Sequence, residues 1–247
     1  MKKYTVFASL LLISIFSIAQ QAVIRYEFIY NKNFERGKDL VYFQSWLNIK
    51  NGESWFFSIP DTSKIATLGA MDSYPAIDTL FGVYKNLSEE RLVFIEPDFT
   101  GRSSYYRDTL HPMTWELKNE TQKIGDFECQ KATTVFRGRS YTAWFSPSIP
   151  IPNGPWKMGG LPGLIMVLYE DNNDMYISLR SISFTSSPGK IFLPADINRL
   201  PDYEKYKNNW RELFKRMDAT LTASKSNPDC VSCKEESKSK INLWEKW

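Results

Sequence analysis

Residues 147–169 read PSIPIPNGPWKMGGLPGLIMVLY, with five prolines before Gly163 and an apolar run directly after it. Proline fixes φ and has no N–H to donate, so this segment suits neither a helix interior nor a central strand. It is a loop of restricted shape. Long loops inside a compact domain serve as lids, as binding rims or as rigid crossovers. Gly159 and Gly160 permit close backbone approach. Leu161-Pro162-Gly163-Leu164 suits a type II turn, with Pro162 presetting φ and Gly163 supplying a positive φ. The run 164–169 is apolar on both alternating faces, which predicts a central strand covered on both sides.

The rest of the chain reads as strands. Aromatics make up 15% of its 247 residues, a composition that suits pleated, half-buried surfaces. Ile24, Tyr26, Phe28 and Tyr30 alternate with polar neighbours, and Val41, Phe43, Leu47 and Ile49 repeat the pattern. Asn51-Gly52 then marks a hairpin turn into a third strand over 54–59, completing an antiparallel meander. Residues 60–75 form an irregular excursion. Strand signals follow at 79–84, 91–95, 103–107, 114–117, 127–136 and 141–145, with 175–184 as the partner of the buried run. One helix is predicted between 201 and 224, where Tyr203, Tyr206, Trp210, Leu213, Phe214, Met217 and Leu221 recur at helical spacing. A stripe so broad must be buried, and the concave face of the sheet is its available partner. The expected fold is mainly β: a curved antiparallel sheet or open half-barrel with one C-terminal amphipathic helix packed on it.

Lys2 and Lys3, an apolar stretch over 6–18 and the small residues Ser17 and Ala19 compose a secretory signal cut before Gln20. The stretch is shorter than the roughly 20 apolar residues that span a bilayer, so no membrane span is expected after cleavage. The domain reading is a signal over 1–19, one β-rich domain over 20–224 and a polar tail over 225–247. Loss of Lys2 and Lys3 lowers the formal net charge from +3 to +1, which with no clustered basic face excludes a nucleic-acid partner. Cys129, Cys230 and Cys233 lie in the exported part, where disulfides persist, and their odd count forbids complete internal pairing. Cys230 and Cys233 have redox-motif spacing but sit in a polar tail rather than at a helix start in a βαβ unit.

Few residues have the chemistry of an active site. His111 is the single histidine, so a multi-histidine metal site is impossible and a triad would have to be built around it. The GxSxG nucleophile elbow is absent. Gly159-Gly160 and Gly163 suggest a phosphate cradle only superficially, because Pro162 removes a donor and no Lys-Ser/Thr follows. Glu96, Asp98, Glu116, Glu170 and Asp171 lie near strand ends and leave a carboxylate pair open. No cofactor and no metal is expected.

Gly160-Leu161-Pro162-Gly163-Leu164-Ile165 resembles the signature of the GLPGLI family of exported Bacteroidetes proteins. The resemblance extends upstream through Trp115-Glu-Leu, 123–132, Ala143-Trp144-Phe145, Ile149-Pro150 and Gly154-Pro155. It implies a periplasmic, outer-membrane-associated or secreted protein and brings no settled activity. The family is distantly similar to the bowl-like N-terminal domain of some peptide N-glycanases, a likeness of fold. The arrangement also resembles periplasmic lipoprotein carriers, which hold acyl chains in an open half-barrel. The leading expectation is a non-enzymatic module that binds an apolar small molecule or a cell-envelope protein. Trp144, Trp156, Lys157 and Met158 would form the rim, and Gly160 to Ile165 would be structural. The alternatives are a hydrolase with acidic residues in a cleft and a purely structural interaction module.

Overall fold

The computed structural model describes residues 21–31, 40–65, 81–97, 103–109, 113–172, 174–189 and 196–225. The expected signal, Asp98, His111, Cys230, Cys233 and the tail beyond residue 225 lie outside them. The described residues form β1 (Ala22–Asn31), β2 (Leu40–Lys50), β3 (Glu53–Pro60), the helical turn α1 (Thr62–Ile65), β4 (Phe81–Asn86) and β5 (Arg91–Pro97). Next come β6 (Ser103–Thr109), β7 (Glu116–Ile124), β8 (Phe127–Phe136), β9 (Arg139–Ser146), β10 (Leu164–Glu170), β11 (Met175–Phe184) and α2 (Tyr203–Lys225). The strands make one antiparallel, unclosed sheet in the order β6-β5-β4-β3-β2-β1-β11-β10-β9-β8-β7. The first strand thus pairs with the last, as well as with β2.

Turn chemistry sets the hairpins. Asn51 and Gly52 have φ of 53° and 83°, and Arg137 and Gly138 have 53° and 76°. Two successive positive values give the turn whose twist matches that of the flanking strands. β10 is a covered inner strand, as its apolar run predicts. β7 runs much further than the 114–117 signal. Its sequence ELKNETQKI has no apolar alternation because it is an edge strand, mostly exposed on both faces.

The register lines up one buried row across six strands: Ile24, Leu47, Phe56, Val83, Phe94 and Tyr106 are successive cross-strand partners. They belong to the main core on the concave face. Ile149, Ile151, Met158 and Leu161 from the proline-rich loop and Tyr206 from α2 complete that core. Tyr206 stands edge-on to Phe94 and Tyr106, with ring centres 5.2 and 5.0 Å apart, and Tyr203 stacks on Tyr206. Asp202 caps the helix, accepting from the Lys205 N–H at 2.9 Å. The start of α2 therefore packs against the sheet, as its aromatic stripe predicts for Tyr203, Tyr206 and Trp210. The side chains of Leu213, Phe214, Met217 and Leu221 fall outside the described set.

On the convex face a second core holds Trp55, Tyr84, Val93 and Ile95 under Ile197 and Leu200. Gly82 makes room for it: a Cβ there would stand 2.5 Å from the Trp55 ring.

Candidate functional site

Residues 147–163 cross the concave face as a strap between β9 and β10. The strap folds back on itself: Gly160 N–H donates to Pro152 O at 3.0 Å, Leu164 to Ile149 O at 3.0 Å and Ile165 to Asn153 O at 3.1 Å. The expected type II turn does not form. Gly163 N–H instead donates to Leu161 O at 2.7 Å, a three-residue turn centred on Pro162, and Gly163 is not among the positive-φ residues. Glycine is needed there because a Cβ would lie 2.2 Å from the Ser146 carbonyl oxygen. Positive φ falls on Gly160, at 85°, and on Trp156, at 52°.

Polar contacts from β1, β3, β4 and the segment before β7 hold the strap and its junction with β10. Lys85 Nζ, on β4, donates to Gly154 O at 2.7 Å and to Met158 O at 2.8 Å. Asn153 Nδ2 donates to Ser54 Oγ on β3 at 2.9 Å. Trp115 Nε1, beside β7, donates to Gly159 O at 2.9 Å, and the Tyr26 hydroxyl on β1 donates to Ile165 O at 2.8 Å. The Lys85 and Trp115 donors satisfy strap carbonyls that an irregular segment cannot pair within itself. Lys85 has no exposed surface. Burial pushes its ammonium down to about 7. Sequence reading missed Lys85, although its position in phase with the inward-facing Val83 is the signal that marks it.

The four expected rim residues part company. Met158 is fully buried in the core. Lys157 is 3% exposed, with Nζ 4.0 Å from the centre of the Phe94 ring, 5.4 Å from Trp156 and 5.9 Å from Tyr203. Trp156 is half-buried and edge-on to Phe136, with ring centres 6.0 Å apart. Trp144 is half-buried on β9, where it pairs with Val167. The strap thus brings Trp156, Lys157 and Met158 together with Phe94 and Tyr203. In the GLPGLI segment Leu161, Gly163, Leu164 and Ile165 are buried, while Gly160 and Pro162 are exposed.

Charge is gathered at two places nearby. Arg139 Nη1 lies 2.9 Å from Asp174 Oδ2 and 3.6 Å from Glu170 Oε1, and all three side chains are buried. Burial, and then Asp174, push the Glu170 carboxyl up; burial also pushes Asp174 up, against Arg139. Arg137, in the β8–β9 turn, pairs with Asp108 of β6 and lays its guanidinium 3.4 Å from the centre of the Tyr203 ring. Beside this pair is a cavity of about 510 Å³, whose lining includes Glu90, Arg91, Arg107, Asp108, Asp202 and Tyr203. Of the carboxylates considered for hydrolysis, Glu116 and Glu170 do not converge. Glu116 pairs with Lys118 on β7, three strands from Glu170, and Glu96 lies on β5. Among the described residues no group of three or more His, Cys, Asp or Glu is placed to hold a metal ion. Cys129 is buried, and burial raises its thiol to about 11, so it is protonated at neutral pH.

A family described as "Protein of unknown function (Porph_ging)" matches residues 135–167, which span β9, the strap and the first residues of β10. No curated protein matches the sequence. Among solved structures the chain is similar to PNGF-II in two crystal forms, with 17% and 16% identity and TM-scores of 0.47 and 0.48. Each match covers 77% of this chain and 32% or 33% of the other, so the chain spans about a third of PNGF-II. It is also similar to a putative outer membrane lipoprotein-sorting protein domain from Vibrio parahaemolyticus, with 9% identity and a TM-score of 0.27. That match covers 73% of this chain and 90% of the other. Among the described residues, no helix is long and apolar enough to cross a membrane.

Proposed function

We propose that this chain is a non-enzymatic, exported module of the cell envelope that binds a partner polypeptide at the strap, with Trp156 as the anchor. Export is read from the N-terminal signature, and kinship with the GLPGLI proteins from the motif and its upstream matches. The observation that carries the binding site is Trp156 itself, a bulky aromatic at φ 52° that stays half-buried between the buried Pro155 and Lys157. A left-handed backbone costs such a residue about 1–2 kcal/mol, and strain of this kind gathers at functional sites. Tryptophan is also prominent among the residues that dominate interface energies. The packing of the strap and of the start of α2 on the sheet favours a partner over an apolar cargo, since both occupy part of the face a cargo would use.

The test uses the full chain in its native envelope, with a photo-crosslinker at exposed Pro152. Trp156→Gly tolerates the left-handed backbone and removes the anchor, and Trp156→Phe keeps an aromatic ring. The expected result is a discrete crosslinked partner, lost in Trp156→Gly and retained in Trp156→Phe, with both variants folded by circular dichroism. Capture that survives Trp156→Gly overturns the reading.

A further inference from the structure

Lys85 has no exposed surface, and its two bonds run to main-chain carbonyls at either side of the strap apex, Gly154 and Met158. Among the described residues, the charged groups around it leave it without a counter-ion. Its cross-strand neighbours Ser54 and Leu92 are uncharged. Asp108, the next residue in that row, is two strands away and engaged by Arg137. Glu53 takes the hydroxyl of Tyr84 at 2.7 Å, and Tyr84 belongs to the convex-face core. From the strap, Lys157 directs its ammonium to the ring of Phe94. A buried ammonium compensated only by carbonyl dipoles is costly, and losing its proton removes most of that cost while the amine still donates two hydrogen bonds.

We infer that docking of the strap on the concave face is coupled to release of a proton from Lys85, making the strap a proton-sensitive latch. When the strap lifts, Lys85 meets water and regains its ordinary affinity for a proton. Its docked value of about 7 lies below the ordinary 10.5, so the docked state binds fewer protons across that interval. Docking therefore strengthens as pH rises from about 7 towards 10.5, and levels off below 7, where both states are protonated. The inference is independent of the partner at Trp156, since it concerns strap closure in the isolated chain.

Amide exchange at Gly160, Leu164 and Ile165, whose N–H groups close the strap, reads the opening equilibrium after correction for intrinsic exchange. Amides of the β8–β9 pair serve as the internal reference. The strap opening constant is expected to fall by up to about tenfold per pH unit between pH 7 and 9 relative to that reference. Lys85→Met, apolar and of similar length, strands the Gly154 and Met158 carbonyls, so it is expected to raise the opening constant and to make it independent of pH. A strap that follows the β8–β9 slope in the wild type, or a Lys85→Met chain that keeps the wild-type dependence, overturns the inference. A carbon-13 titration of Lys85 Cε in the unmodified chain decides it without any variant. A depressed midpoint supports the latch, and a midpoint near 10 removes it.

Discussion

Gly163 and Gly160 stand three residues apart in the strap and are glycines for different reasons. A Cβ on Gly163 meets the Ser146 carbonyl at 2.2 Å, whereas one on Gly160 meets nothing within 4 Å, and only the φ of 85° disfavours it. Main chain cannot yield as a flexible side chain can. Gly163→Ala is therefore expected to lose about 3 kcal/mol in a urea melt, at the upper end of overpacking costs. Gly160→Ala should lose about 1 kcal/mol, the cost of a left-handed alanine. Equal losses would show that close approach is not what selects glycine at 163. The motif was legible as a constrained turn but its geometry was not, because the constraint comes from Ser146, a residue 17 positions away that no local rule consults. Lys85 was illegible for the same kind of reason. A lysine in a short strand reads as solvent-facing until register places Ser54 and Leu92 beside it.

At the scale of elements, strands with apolar alternation could be read from sequence almost to the residue, as with β1, β8 and β11. β7 could not, because an exposed edge strand buries nothing and leaves no pattern. The charged cluster at the end of the β10–β11 hairpin is half-visible in the sequence, which places Glu170 near a strand end but does not mark it as buried. Arg139 is in phase with the buried Tyr141, Ala143 and Phe145, which marks it as inward-facing. The cluster has a definite pH signature. Burial and Asp174 raise Glu170 above its unfolded value, so the native state binds more protons there than the unfolded chain. Its stabilising contribution is complete below the ordinary 4.5 and is lost as pH rises through the raised native value. Glu170→Gln removes one of two carboxylates sharing a single guanidinium and leaves the 2.9 Å Arg139–Asp174 pair in place. Urea melts from pH 5 to pH 8 should show the variant gaining on the wild type as pH rises. A variant equally destabilised at both ends of that range would mean that Glu170 is held by its hydrogen bonds rather than penalised by its charge.

At the scale of the whole molecule, the sheet is not closed by hydrogen bonds, yet its two ends are joined. β6 is the last strand on one side, and the β8–β9 turn lies next to the last strand on the other. Arg137 spans the gap to Asp108, and its guanidinium rests on Tyr203 at the start of α2, so one side chain ties both ends of the sheet to the helix. The pair is largely dry, with side chains 16% and 6% exposed. Removing one member of a buried pair strands the other charge, so Arg137→Ala and Asp108→Ala should each lose about 3 kcal/mol. The double variant should lose little more than either single change, a coupling of about 1–3 kcal/mol in a double-mutant cycle. Arg137→Lys tests how the clasp works: it keeps the charge but loses the planar fork that lies on Tyr203, so it should recover only part of the loss. If closure is a property of the whole bowl, the single variants should also raise exchange at the Tyr206 amide, bonded to Asp202 O at 3.1 Å, and at strap amides far from the mutated turn. Additive single losses, with exchange confined to the turn, would reduce the clasp to a local ion pair. The open sheet would then owe its curvature to the strap and α2 alone.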